Sequence, residues 1–291
     1  MSVCAKVSKA VLVAAAGLWL AASAGLTDPA PRRVVSVNLC TDQLAMMLAA
    51  PGQLVSVSHL AADPQSSAMA TEARAYAPNM GQAEQVFLMR PDLVLAGTFS
   101  ARAGIDLLRR LGVRVIEIPP AATLDDIPGH LRIIGQALGR ETQAESLAAE
   151  FEASLDQLKI NAPPARAALY YPSGYTTGAG TLADAILRHT GFSNVAADLG
   201  LAGGGNLPLE RLVMAGPDVV VTATPYPGAS RAEEILVHPA LKAVQSRAGS
   251  AEVTDADWIC GTPHVLRAVR AMAEAREALG GPRLTQRQEI R

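Results

Sequence analysis

Short apolar runs alternate along the chain with stretches whose apolar positions recur every three to four residues, the signature of strands and amphipathic helices in turn. In the first half, Arg33–Val37, Leu54–Val57, Pro91–Ala96 and Val113–Ile118 read as strands. Thr41–Ala50, Ala83–Met89, Ala101–Leu111 and Thr123–Leu138 read as helices, and residues 59–78 as loop with some helix. In the second half, Ala167–Tyr171, Pro217–Thr222 and Ala251–Thr254 read as strands. Thr181–His189, Leu209–Ala215, Pro239–Gln245 and Pro263–Leu279 read as helices, with the glycine-rich Gly200–Leu207 as loop. Strands alternating with helices over short connections predict parallel sheets covered by helices.

Between the halves lies Thr142–Asn161, free of Gly and Pro, with Ala144, Leu147, Ala148, Phe151, Leu155 and Leu158 at helical spacing. Thr142 and Glu145 have the spacing of a capping box, and Pro163 and Pro164 stop the helix because proline lacks an amide hydrogen. At 1.5 Å per residue the helix would be about 30 Å long. The expected architecture is α/β, two lobes of mostly parallel sheet with flanking helices, joined by one long central helix. The lobes span residues 32–139 and 163–280, the connecting helix 140–162, and a frayed tail 281–291. So stiff a connector implies modest lobe movement, with bending at Gly139 and at Pro163-Pro164.

The halves repeat one another. Glu84-Gln-Val-Phe-Leu-Met-Arg-Pro-Asp-Leu-Val-Leu95 aligns without a gap on Glu210-Arg-Leu-Val-Met-Ala-Gly-Pro-Asp-Val-Val-Val221; 210 − 84 and 217 − 91 both give 126. Each copy reads as a helix stopped by proline, an aspartate that accepts amide hydrogen bonds at the turn, and a buried strand.

Composition adds a compartment. Of 291 residues, 49% are hydrophobic, ample for one core or two small ones. Residues 1–24 read as a secretory signal, with Lys6 and Lys9 before the apolar Ala10–Ala22 and an Ala22-Ser23-Ala24 cleavage site. No cysteine follows the apolar region, so a periplasmic protein without a lipid anchor is expected. Cleavage removes two of the 25 Lys and Arg and none of the 27 acids, leaving a charge of −4. The remaining cations are scattered, which argues against a nucleic-acid surface.

Catalytic signatures are missing. There is no G-x-S-x-G, no P-loop (Gly203-Gly-Gly205 is followed by Asn206), no C-x-x-C and no H-E-x-x-H. Candidate chemistry lies in loops after strands, where parallel sheets meet ligands: residues 38–41, His59, 97–100, 173–178, 223–226 and 255–262. A cleft between these ends would gather Phe99, Tyr175 and Trp258 beside small polar groups, suiting a bulky, partly apolar ligand. Cys40 and Cys260 each follow a strand end on a different lobe. They read as a disulfide tying the lobes, as soft metal ligands, or as separate buried thiols. Cys260 and His264, four residues apart, form a metal pair in the second of these readings. His59 reads as a capping or surface residue, or as a ligand. Glu84 and Glu210, each opening a short helix, read as acids at a helix N-terminus or as matched acidic knobs for a two-fold symmetric partner.

The run Arg33-Val-Val-Ser-Val-Asn-Leu-Cys-Thr-Asp-Gln-Leu44, the paired Glu…Pro-Asp units, the helix after Leu138-Gly-Arg-Glu141 and Asp257-Trp258 resemble the periplasmic substrate-binding proteins of ABC importers for cobalamin, ferric siderophores and haem. The resemblance covers residues 32–279 and lies nearest the cobalamin-binding members. It implies a monomeric solute-binding protein, not an enzyme and with no cofactor of its own. Such a protein captures a bulky metal chelate between its lobes and delivers it to an ABC permease dimer. It also implies that Glu84 and Glu210 dock on the permease, and that Asn38, Leu39, Cys40, Thr41, His59, Tyr175, Trp258 and Cys260 line or flank the ligand cleft. The alternatives are a haem-binding member of the same class, or an exported metal protein or enzyme using Cys40, Cys260 and His264.

Overall fold

The computed structural model describes residues 29–224 and 230–280. The expected signal segment 1–24, the tail 281–291 and the Tyr226 end of one cleft loop lie outside the described residues.

Each half builds its own parallel sheet. In the first lobe, β1 (Val34–Ser36), β2 (Leu54–Ser58), β3 (Ala77–Asn79), β4 (Leu93–Gly97) and β5 (Arg114–Ile118) assemble in the order β3-β2-β1-β4-β5, all parallel. Around them pack α1 (Leu39–Leu48), α2 (Ala70–Ala73), α3 (Ala83–Leu88) and α4 (Arg102–Arg110). Two helices follow, α5 (Asp126–Leu138) and α6 (Glu141–Gln157). In the second lobe, β6 (Ala165–Tyr170), β8 (Phe192–Asn194), β10 (Val219–Ala223) and β11 (Gly249–Val253) form a parallel sheet ordered β11-β10-β6-β8. Beside it, β7 (Tyr175–Thr177) and β9 (Gly204–Asn206) make an antiparallel pair. The second lobe's helices are α7 (Leu182–His189), α8 (Val195–Asp198), α9 (Leu209–Ala215), α10 (Pro239–Arg247), α11 (Asp255–Trp258) and α12 (Leu266–Ala278).

The repeat of 126 holds in three dimensions. α3 and α9 begin at 83 and 209, and β4 and β10 run over 93–97 and 219–223. The turn between helix and strand is clamped identically in both. Asp92 accepts from the Arg33 amide at 3.0 Å and donates its own amide to the Arg33 carbonyl, while the Arg33 guanidinium reaches the carbonyl of Met89. Asp218 accepts from the Arg166 amide at 2.7 Å and donates back to Arg166, whose guanidinium reaches the carbonyl of Ala215. Each aspartate thereby fastens its strand to the first strand of its own lobe, and the arginine caps the preceding helix's free carbonyls. At the turn itself the two copies differ: Gly216 takes the left-handed conformation (φ 56°), and its counterpart Arg90 is forced into the same region (φ 50°).

The core runs through both lobes. Leu44, Leu95, Ile134, Phe151, Leu169 and Met272 belong to one continuous buried cluster, with the apolar faces of α5 and α6 at its centre. Gly139, left-handed at φ 68°, ends α5, and Arg140 alone separates it from α6.

Several local expectations change. The capping box does not form: α6 starts at Glu141, Thr142 is already inside it, and the cap position, Arg140, makes no side-chain cap bond. So short a turn leaves no residue to stand outside the helix. Glu145 instead pairs with Arg132 of α5 at 2.8 Å. The central helix also ends at Gln157, before the prolines, and its 17 residues give about 26 Å. The buried Ile160, whose amide bonds to the carbonyl of His189, draws the chain off the helix axis first. α5 begins at Asp126 rather than Thr123, because the Asp126 carboxylate folds back onto the amides of Ala122 and Thr123. Residues 59–78 run into edge strand β3, where Pro78 is tolerated because an edge leaves one side unpaired. Three of the eight residues read as loop at 200–207 form β9, held by β7 rather than by its own pattern.

Candidate functional site

The carboxyl ends of β1, β4 and β5 in one sheet and of β6, β10 and β11 in the other meet at one cleft. Its larger cavity, about 620 Å³, is walled chiefly by the second lobe, through Tyr171 and Tyr175 after β6, Thr224 after β10, and Asp255 and Trp258 after β11. The first lobe faces it with Pro120, Ala121 and Ala122 after β5. A smaller cavity of about 150 Å³ continues on the first lobe's side, sharing Pro120, Ala121 and Ile259, and is lined by Asn38, Cys40, Thr41, Phe99 and His130.

Three aromatic rings set the shape of the larger cavity. Tyr171 stands edge-on to Trp258 with ring centroids 6.0 Å apart, and tilted to Tyr175 at 6.3 Å. Both separations lie in the range where aromatic pairs attract beyond the area they bury. Trp258 is buried, whereas Tyr175 is 44% exposed. Tyr175 lies across β9, and a Cβ on Gly204 would fall 1.8 Å from its hydroxyl, so only glycine leaves the ring this position. Burial raises the Tyr171 hydroxyl's pKa well above its ordinary range, so it stays protonated.

Polar side chains of the first lobe are committed to structure. Asn38 caps α1, its Oδ1 accepting from the amides of Cys40 (3.0 Å) and Thr41 (3.4 Å). The buried Thr41 hydroxyl bonds Ser36 Oγ and the Asn38 carbonyl. Next to it, Asp42 is fully buried and accepts from the amide and hydroxyl of Ser58, tying α1 to β2; burial raises its pKa to about 6. Burial lowers the pKa of His130, which keeps the imidazole neutral.

Cys40 and Cys260 form a disulfide, with Cα atoms 5.0 Å apart, within the usual range. It joins the first turn of α1 to the chain after α11, at the floor of the cleft. This corrects the readings of free thiols and of soft metal ligands, since a metal needs the thiolate that the bond consumes. His264 is part-buried, its pKa lowered by burial. Among the described residues no group of three or more His, Cys, Asp or Glu could hold a metal ion.

Of the expected cleft residues, Tyr175 and Trp258 line the larger cavity, and Asn38, Cys40 and Thr41 the smaller. Leu39 and His59 line neither: Leu39 is half-buried at the start of α1, and His59 is exposed after β2, next to the edge of the sheet. Trp258 sits in a helical turn, α11, rather than in a loop. Tyr171, His130 and Glu233 were not singled out, and Asp255 stood only as the first residue of the 255–262 loop. The sequence pattern makes Tyr171 the last residue of a strand, whereas β6 ends at Tyr170 and leaves it in the cleft. Glu233 belongs to a short 3-10 helix, Arg231–Val237, with no apolar period to mark it.

Away from the cleft, Glu84 and Glu210 occupy the same place in α3 and α9, both exposed. Three and four residues on, each helix shows two exposed apolar side chains, Phe87 and Leu88 in one and Val213 and Met214 in the other. No helix among the described residues is long and apolar enough to cross a membrane.

The family model described as periplasmic binding protein matches residues 34–248. A cobalamin-binding protein of Halobacterium salinarum is 29% identical over 201 residues, 67% of this chain and 54% of the relative, so the chain spans about half the length of that curated relative. Two solved structures share the fold. The periplasmic haem-binding protein RhuT from Roseiflexus sp. RS-1, in apo form, has a TM-score of 0.69 at 23% identity, covering 84% of this chain and 98% of its own. The periplasmic vitamin B12 binding protein BtuF of Vibrio cholerae has a TM-score of 0.65 at 19% identity, covering 86% and 98%.

Proposed function

Because the chain belongs to the periplasmic binding protein family, we propose that it captures a bulky metal chelate in its interlobe cleft, outside the cytoplasmic membrane, and delivers it to an ABC importer. The observation that carries this reading is the cavity between the lobes, aromatic on one wall and apolar on the other. A large ring system with apolar faces fills such a space, while a few polar groups at its rim fix its orientation. Among possible chelates we favour a corrinoid, on the strength of the sequence match to the cobalamin-binding protein of Halobacterium salinarum.

Delivery needs a surface that reads both lobes at once. Glu84 with Phe87 and Leu88, and Glu210 with Val213 and Met214, give each lobe the same footprint, an acid beside an apolar pair. A permease dimer offering a cation beside an apolar socket on each subunit fits two such footprints. In this reading the carboxylates steer and orient, and the apolar pairs add the desolvated contact.

The test is direct. Protein purified from its native periplasm should carry a chelate identifiable by absorbance and mass spectrometry. Glu84→Ala with Glu210→Ala should abolish uptake while leaving chelate affinity unchanged; a matching loss of affinity would refute the docking role.

A further inference from the structure

The smaller cavity differs in kind from the larger one. Its volume of about 150 Å³ suits a benzene-sized group. Leu44, Phe99, Ile118 and Pro119 make much of its wall apolar, and no lysine, arginine, aspartate or glutamate is among its described lining residues. Two polar side chains on that wall keep bonding capacity in reserve. His130 of α5 is only 7% exposed, yet neither ring nitrogen has a hydrogen-bond partner among the described residues. Burial lowers its pKa more than the nearby Asp126 raises it, so the ring is neutral, with one donor and one acceptor. The Asp126 carboxylate is itself taken up by the amides of Ala122 and Thr123.

Asn38 is oriented by the helix it caps. Its Oδ1 accepts from the amides of Cys40 and Thr41, so the NH2 end is left over, and it donates to no described residue. That end lies against Gly97, where a Cβ would fall 2.9 Å from Nδ2; only glycine leaves the amide its place. An imidazole buried without a partner is costly. With a second free donor on the wall of the same small cavity, it points to an occupant that bonds to both. The occupant must be small, uncharged, and able to give and to take a hydrogen bond. A primary carboxamide meets all three conditions. It accepts from Asn38, and it pairs with whichever ring nitrogen faces it, donating to a bare one or accepting from a protonated one. A carboxylate would lose its water here with no cation to offset the cost.

We propose that the smaller cavity is a subsite for one primary carboxamide arm of the captured ligand, held by His130 and Asn38. The inference rests on the corrinoid reading above and sharpens it, because a corrin ring carries several such arms around its rim and the cavity admits one. The larger cavity takes the ring, and the subsite fixes how the ring is turned within it. An arm ending in carboxylate stays in water, and the ligand forgoes the subsite's contribution, about tenfold or more in affinity.

The test reads one arm at a time. Isothermal titration of the full chain uses cyanocobalamin and its monocarboxylic acids, each hydrolysed at a different peripheral primary amide. Wild-type protein should bind one isomer about tenfold or more weakly than cyanocobalamin, and the others nearly as well. His130→Leu should weaken cyanocobalamin by a similar factor. It should leave that one isomer within about threefold of its wild-type affinity, since its arm makes no use of the subsite. The unchanged isomer also shows that the variant is folded. His130→Gln, which again offers a donor and an acceptor, should recover most of the loss. Asn38 is left unaltered because it also caps α1. Equal binding of every isomer by the wild type would overturn the proposal, and so would equal weakening of every isomer, which reports a general rejection of charge. It would also fall if His130→Leu left cyanocobalamin unchanged, if it weakened cyanocobalamin and the one isomer alike, or if His130→Gln were as weak as His130→Leu. In all of these the wild type still binds corrinoid, so the subsite alone fails. If wild-type protein binds no corrinoid, the corrinoid reading itself fails and the subsite falls with it.

Discussion

Replacing Cys40 and Cys260 together by serine should cost the protein a large share of its stability. The bridge closes a loop spanning 220 positions of sequence, and on the chain-entropy account such a cross-link removes about 5 kcal/mol of conformational entropy from the unfolded chain. That is the upper end of measured disulfide effects. The value is carried by loop length, so it does not depend on any contact the sulfur atoms make. It should also be felt globally. The bridge joins the two lobes, and the buried cluster that includes Leu44, Phe151 and Met272 is continuous between them, so the lobes should unfold together. Urea unfolding followed by far-UV circular dichroism is the assay. The serine pair should unfold at clearly lower urea, by about 3–5 kcal/mol, and wild-type protein treated with a phosphine reductant should match it. An unchanged midpoint, or two reactive thiols in unreduced denatured protein lacking residues 1–24, would refute the reasoning. A second, earlier transition in the variant would show that the bridge, and not the shared core, makes the lobes cooperative.

Three further outcomes follow from particular residues. Arg90→Gly should stabilise the protein by up to about 1 kcal/mol in thermal or urea unfolding, since arginine there sits in the left-handed region that its counterpart Gly216 occupies freely. Asp42, with its folded pKa raised by burial from 3.8 to about 6, keeps a proton between about pH 4 and 6 that the unfolded chain has released. Its contribution to stability is therefore greatest below pH 4 and falls as pH rises through 6, by about 3 kcal/mol in all; Asp42→Asn should flatten that slope in unfolding titrations. Leu88→Ser with Met214→Ser should weaken docking to the purified importer without altering chelate affinity, whereas unchanged docking would confine that contact to the glutamates.

The two-lobed α/β plan was legible in the sequence, because both of its signals are local. Buried parallel strands read as apolar runs whatever surrounds them, as at 93–97 and 219–223, and a helix such as 209–215 carries its apolar period with it. The repeat was legible for the same reason: one helix–aspartate–strand unit needs the same residues wherever it is used. Features that depend on partners far along the chain emerged only on folding. β9 has no strand pattern and exists because β7 pairs with it. The central helix starts and stops where Gly139 turns the chain and Ile160 enters the core, not where its own caps would place it. Pairing of Cys40 with Cys260 needed two helix ends brought to 5.0 Å across 220 residues, and no spacing rule fixes that distance. The cleft followed the same division. Strand ends gave its address, but which side chains face it was a matter of packing. His59 stayed on the surface, Asn38 turned inward to cap α1, and Glu233 arrived on a segment with no pattern of its own.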